Sequence, residues 1–123
     1  MRIELSGIPV PKKNSRNLFK RGGKIFNIPS SRYKSWHRVA AFEIINQIDS
    51  VIPILDVEKI SIEFHMPDNR RRDLTNIAES VMDLLVDAEV IKDDCWQIVP
   101  IVVLEAKGIC KVNPRTIIII KEE

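Results

Sequence analysis

Apolar and polar positions alternate over residues 1–6, with Met1, Ile3 and Leu5 set against Arg2, Glu4 and Ser6, the period of a half-buried strand. The pattern then lapses. Gly7, Pro9, Pro11, Asn14, Ser15, Gly22, Gly23 and Pro29 punctuate residues 7–29, which read as a basic loop too poor in periodic apolar residues for a regular element. From Ser30 and Ser31, both good N-caps, a helical pattern runs to about Ile48 and sets Tyr33, Trp36, Ala40, Ile44 and Ile48 on one stripe. Residues 57–66 alternate cleanly, with Ile60, Ile62, Phe64 and Met66 on one face and Ser61, Glu63 and His65 on the other. A second helix spans roughly 74–88, where Leu74, Ile77, Val81, Leu84, Leu85 and Ala88 follow the 100° step. Residues 97–106 and 116–121 read as two more strands joined across Gly108 and Pro114, and Pro100 places the first at a bulge or an edge. This order predicts an α/β fold of the α+β type: one two-layer domain over residues 1–123, a mixed sheet of about four strands and two main helices.

Composition adds a second pattern. The 123 residues carry 19 Lys+Arg and 17 Asp+Glu, a net +2 that conceals segregation. Residues 1–40 hold ten basic groups, among them Lys12, Lys13, Arg16, Lys20, Arg21 and Lys24, against the single acid Glu4. Residues 73–94 hold seven acids against Lys92. Charge divided in this way suits a polyanion on one surface and cations on another. No apolar stretch approaches the roughly 20 residues that cross a bilayer, and no secretory signal core stands at the N-terminus, so the expectation is a cytoplasmic protein without a membrane partner. Cys95, Cys110 and the two histidines do not fall at metal-ligand spacings, and both cysteines read as free thiols.

The candidate chemistry gathers around the second helix. Asp73 stands at its start, where a carboxylate commonly caps free N–H groups, and Asp93-Asp94 follow its end, where a solvated turn is the ordinary reading. His65 sits on the polar face of a strand next to Arg70-Arg71-Arg72. It is a candidate phosphate contact, although a structural hydrogen bond is the commoner fate of such a residue.

The run His65-Met66-Pro67-Asp68-Asn69-Arg70-Arg71-Arg72-Asp73-Leu74-Thr75-Asn76, followed after a helix by Asp93-Asp94, resembles the signature H-M-P-D-x-R-R-R-D-L-D-N … D-D of the RusA family of Holliday junction resolvases. The resemblance is closest over about residues 57–107. It implies a small, homodimeric, Mg²⁺-dependent endonuclease, with Mn²⁺ as an alternative ion, that nicks opposite strands of four-way DNA junctions in recombination and repair. It also suggests a phage or prophage setting. Asp73 then matches the first catalytic aspartate and Asp94 the last, with Asp93 beside it. Arg72 matches the basic residue before the catalytic motif, and Lys107 a basic position after the family's next strand.

Two positions depart from the family pattern. Thr75 stands where the second catalytic aspartate is usual, and Glu79 where a functional lysine often stands. Residues four apart share a helix face, so Glu79 is expected to restore the carboxylate lost at position 75. The expected cluster is Asp73, Glu79 and Asp94 with Asp93, and Thr75 or Asn76 orients a bound water. Mg²⁺ takes hard oxygen ligands, polarises a phosphate and lowers the pKa of an attacking water. Arg70, Arg71, Arg72 and the basic residues of 1–40, Lys12, Lys13, Arg16, Lys20, Arg21 and Lys24 among them, are expected to hold DNA phosphates. The rival reading is a protein that binds branched DNA and has lost cleavage through the changes at Thr75 and Glu79.

Overall fold

The computed structural model describes residues 1–12, 16–21, 24–49 and 52–123, with the backbone alone for 16–29. The elements in chain order are β1 (Arg2–Ser6), β2 (Arg16–Arg21), β3 (Lys24–Pro29), α1 (Ser31–Gln47), β4 (Val57–Met66), α2 (Leu74–Asp87), β5 (Val102–Ile109) and β6 (Arg115–Glu122). Four strands form a mixed sheet in the order β1-β6-β4-β5. The β1–β6 and β6–β4 pairs are antiparallel, and β4–β5 is parallel with α2 as the crossover. This is the two-layer α+β arrangement expected from the sequence.

The alternation of residues 57–66 becomes the burial pattern of β4. Ile60, Ile62 and Phe64 are fully buried, while Ser61 and Glu63 lie on the opposite face. On α2 the helical stripe is equally direct, with Ile77, Val81, Leu84 and Leu85 all 1% exposed or less. They pack with Ile3 and Leu5 of β1, Ile44 of α1 and Ile118 and Ile120 of β6 in one core. Ser30 caps α1 as anticipated, its hydroxyl accepting from the Tyr33 N–H at 3.2 Å. At the other end of α2, Glu89 takes a left-handed φ of 58°, and the Val90 N–H reaches back to the Leu85 carbonyl at 2.9 Å. Glu89 thus terminates the helix rather than wetting its face.

Three expectations need correction. Residues 16–29 are not an unstructured loop but an antiparallel hairpin, β2 paired with β3 from Arg16↔Pro29 to Arg21↔Lys24. The hairpin is made by cross-strand backbone bonds, which demand no apolar periodicity. The intervening Gly-Gly dipeptide was the available signal. The strand expected over residues 97–106, β5, starts at Val102 rather than residue 97, because Ile98 and Val99 donate to the Cys95 carbonyl in a tight turn before Pro100. Gly108 lies inside β5, not in the connection that follows it. Its φ of 99° accompanies the irregular register between Phe64/Ala106 and Met66/Ile109.

The packing sets a contrast in cost. Phe64→Ala is expected to destabilise the fold by about 3–5 kcal/mol because a filled core position becomes a cavity. Val112→Ala, at a residue 96% exposed, is expected to change stability by less than about 0.5 kcal/mol. Urea unfolding of the two variants measures the difference.

Candidate active site

The chain from β4 to α2 is held by its own charges. Asp68 accepts from the Arg72 guanidinium at 2.8 Å and from the Arg70 backbone N–H at 2.9 Å, and Arg70 stands at 3.9 Å as a looser ion pair. The Arg72 hydrogen bond, followed by the Arg70 N–H, holds the Asp68 carboxyl below its ordinary value. The three arginines therefore have unequal roles. Arg72 is clamped and 21% exposed, whereas the side chains of Arg70 and Arg71 are 85% and 93% exposed and free to reach outward.

Asp73 occupies the N-cap position of α2, yet its carboxylate makes no capping bond. Its backbone carbonyl receives the first helical N–H groups from Asn76 and Ile77, and the side chain is left to other partners. Asn76 Nδ2 donates to Asp73 Oδ2 at 3.4 Å, and Arg71 stands 3.9 Å from Oδ1. The ordinary reading of this residue as a side-chain cap is thus not what the structure contains.

Beside Asp73 opens a cavity of about 340 Å³, walled by Ile8-Pro9-Val10-Pro11, Pro67 and Ile77, with Arg32, Arg71, Arg72, Asp73 and Asn76 supplying its polar groups. Two helix N-termini border it: Arg32 belongs to the first turn of α1, and Asp73, Asn76 and Ile77 to the start of α2. Unpaired N–H groups and the positive helix ends favour an anion there. The first turn of α1 carries no acid to offset its basic residues.

The wall of residues 8–11 is pinned to α2 by Ser80, a side chain 0% exposed. Its hydroxyl donates to the Val10 carbonyl at 2.7 Å and accepts from the Lys12 N–H at 3.1 Å. The Lys12 ammonium adds a 3.5 Å pair with Asp83. Ser80 was not among the candidates from sequence, and Arg32 was one only as part of the basic residues 1–40. The signal for Ser80 was a small polar residue beside the apolar stripe of α2, and for Arg32 a cation in the first turn of a helix.

The remaining candidates are dispersed. Thr75 and Glu79 are exposed on α2, and the Glu79 carboxylate has no hydrogen bond or ion pair among the described residues. After α2 the chain returns to the sheet, Ile91 bridging to Ile54, and Asp94 comes near enough to Asp83, in the C-terminal half of α2, to feel its charge. Partial burial, then the neighbouring Asp93, then Asp83 raise the Asp94 carboxyl above its ordinary value. Asp83 is about 15 Å from Asp73 along the helix axis at 1.5 Å per residue. Among the described residues, no three His, Cys, Asp or Glu side chains are grouped closely enough to hold a metal ion.

His65 is half-buried on β4 and its imidazole forms no hydrogen bond among the described residues. Lys107 is on the sheet face away from the helices, paired with Glu105 at 3.1 Å and Glu63 at 3.5 Å; Glu105 foremost holds its ammonium above the ordinary value. Lys13 lies outside the described residues, as do the side chains of Arg16, Lys20, Arg21 and Lys24.

A family model described as Endodeoxyribonuclease RusA matches residues 7–121. Among curated proteins, the chain is 36% identical over 93 residues to "Crossover junction endodeoxyribonuclease RusA" of Aquifex aeolicus (strain VF5), covering 75% of this chain and 70% of that protein.

Two outcomes follow from the site's construction. Ser80→Ala is expected to cost about 1–3 kcal/mol, since it strands a buried carbonyl and N–H. It should also weaken junction binding in a gel-shift titration, because the cavity wall and the start of the basic segment lose their anchor. Asp68→Asn should lower the urea midpoint at pH 6. Because the folded carboxyl titrates below its ordinary 3.8, its contribution is full above that value and fades as pH falls through the lowered one. The gap between wild type and variant should therefore close in acid.

Proposed function

The chain belongs to the RusA endodeoxyribonuclease family of Holliday junction resolving nucleases, and from that premise we propose that it nicks four-way DNA junctions as a homodimer at the cavity beside Asp73, with Mg²⁺ as the ion. The observation that carries this reading is the cavity itself: one uncapped aspartate, three arginines and two helix N-termini surround a space open to an anion. A phosphodiester matches each of these features. Arg32 and Arg71 neutralise the phosphate, and the clamped Arg72 keeps the loop in register with α2. Arg70, together with Lys12, Lys13, Arg16, Lys20, Arg21 and Lys24, tracks the backbone of the junction arms.

The family's nucleases are generally divalent-metal dependent. Within one chain the expected donors fit such an ion only in part: Asp73 and Glu79 keep carboxylates that cap nothing, but among the described residues no three His, Cys, Asp or Glu side chains gather closely enough to hold one. Asp73, with Glu79 further along the same helix, is proposed to hold it, whereas Asp93 and Asp94, beside Asp83, do not reach the same ion within one chain; a bound divalent ion would supply a polarised phosphate and a more acidic water. Asn76 positions the Asp73 carboxylate by its 3.4 Å hydrogen bond, and Thr75 faces solvent one residue before it.

A labelled four-way junction incubated with the protein tests this reading. Paired nicks are expected with Mg²⁺ and none with EDTA. Asp73→Asn and Glu79→Gln should each reduce nicking at least about 100-fold while junction binding persists, the loss expected of an essential catalytic group. Binding without metal-dependent nicking in the wild type would leave the rival reading, a junction-binding protein without cleavage. Undiminished nicking by Glu79→Gln would return Glu79 to the solvated surface.

A further inference from the structure

The cavity beside Asp73 holds more than a phosphate needs. A phosphate is met by cations and N–H groups, and the three arginines and two helix N-termini already supply these. The rest of the lining is apolar: Ile8, Pro9, Val10, Pro11, Pro67 and Ile77. Pro9 and Ile77 line the cavity although both are buried, so it reaches down to the core instead of ending at the surface. Its volume of about 340 Å³ falls at the lower end of the roughly 300–1,000 Å³ typical of small-molecule sites, which join apolar walls to a few fixed polar groups.

The wall of residues 8–11 has few hydrogen-bonding groups left for an anion. Pro9 and Pro11 have no N–H, and their rings fix φ. The Val10 carbonyl accepts from the buried Ser80 hydroxyl at 2.7 Å, and the Lys12 N–H donates to the same hydroxyl at 3.1 Å. At the other end of the segment, Gly7 donates to the Pro114 carbonyl and accepts from the Thr116 hydroxyl, both at 2.9 Å. The wall is therefore a stiff aliphatic surface tied down on both sides, preorganised for the flat apolar face of a ring. On α2, Asn76 Nδ2 donates to Asp73 at 3.4 Å, while Asn76 Oδ1 has no partner among the described residues. That oxygen is a spare acceptor in the same cavity, able to take an exocyclic amino group.

We propose that the apolar part of this cavity is a base pocket: it receives a nucleobase that has left the stack next to the phosphate held by the arginines, and Asn76 accepts from an amino group on its edge. The inference deepens the reading of the cavity given above and rests on it. A splayed base has flat apolar faces and a polar edge, which match the proline wall and Asn76 in turn. Unstacking is least costly where the duplex is already interrupted, and the crossover of a four-way junction is such a place. Seating the base also fixes the adjoining phosphate beside Asp73, because the two are covalently joined.

A four-way junction with 2-aminopurine at one crossover nucleotide at a time, bound in EDTA, tests the pocket apart from cleavage. This base carries an exocyclic amino group and brightens when it leaves the stack, and among the described residues no aromatic side chain lines the cavity to quench it. One position on a bound strand should brighten several-fold and become shielded from acrylamide. In gel-shift titrations, the wild type should bind the intact junction several-fold more tightly than one lacking the base at that position. Val10→Trp keeps the backbone bonds to Ser80 but fills the cavity with an indole, so its preference should reverse, by about tenfold in favour of the abasic junction. A junction in which no position brightens overturns the proposal, as does a brightened base that stays open to acrylamide or a Val10→Trp protein that keeps the wild-type preference. Should Val10→Trp fail to fold, the acrylamide measurement on the wild type decides. None of these readings needs cleavage, so a protein that seats the base and nicks nothing refutes the nuclease reading alone.

Discussion

Burial of the apolar face of α2 against β4 and β6 is the constraint on which the site depends. Ile77, Val81, Leu84 and Leu85 fix the helix's rotation about its axis, because turning it would expose them and bury Glu79 and Asp83. With rotation and position fixed, the N-terminus of α2 can only emerge beside the end of β4, where Asp73 opens into the cavity. The same rotation presents Ser80 to residues 10–12, so one helix both carries the aspartate and holds down the wall opposite. Packing therefore orients the chemistry, and the chemistry needs little structure of its own.

Electrostatics supplies the second layer. The net charge of +2 is uninformative because it averages a basic first third with an acidic stretch over residues 73–94. In three dimensions the two meet at the cavity, where Arg32 of the first third stands with Asp73 of the second. Not every charge belongs to that meeting. Asp68 is spent on Arg72 and the loop, Asp83 on Lys12, Asp87 on His37 at 2.9 Å, and Lys107 on Glu105 and Glu63. Arg70, Arg71 and Asp73 have only long contacts, at 3.9, 3.9 and 3.4 Å, and the exposed Glu79 carboxylate has none among the described residues.

Legibility in the sequence followed the strength of the periodic signal. The strand at 57–66 and the helix beginning at residue 74 were readable nearly to the residue, since each buries one face and repeats at its own period. The β2–β3 hairpin was not, because cross-strand backbone pairing can form without an apolar period. For the site, the local motif from His65 to Asn76 was legible because its contacts are local: Asp68 with Arg70 and Arg72, Asp73 with Asn76. The contacts of Ser80 with residues 70 and 68 positions away, and the meeting of Arg32 with Asp73, depend on tertiary packing and leave no local pattern. The separation of Asp94 from Asp73 along α2 belongs to the same class.

That separation marks where the account is most exposed to measurement. Titrating Mn²⁺ into ¹⁵N-labelled protein and following paramagnetic broadening of the amide signals locates the ion directly. If Asp73 and Glu79 hold the ion, the amides around residues 73–79 should broaden at the lowest Mn²⁺ concentrations, ahead of those at 93–94, and recover with EDTA. Broadening centred on residues 93–94 or on other surface acids, with residues 73–79 unaffected, would contradict a metal site at the start of α2 and with it the central claim about how this chain cuts DNA.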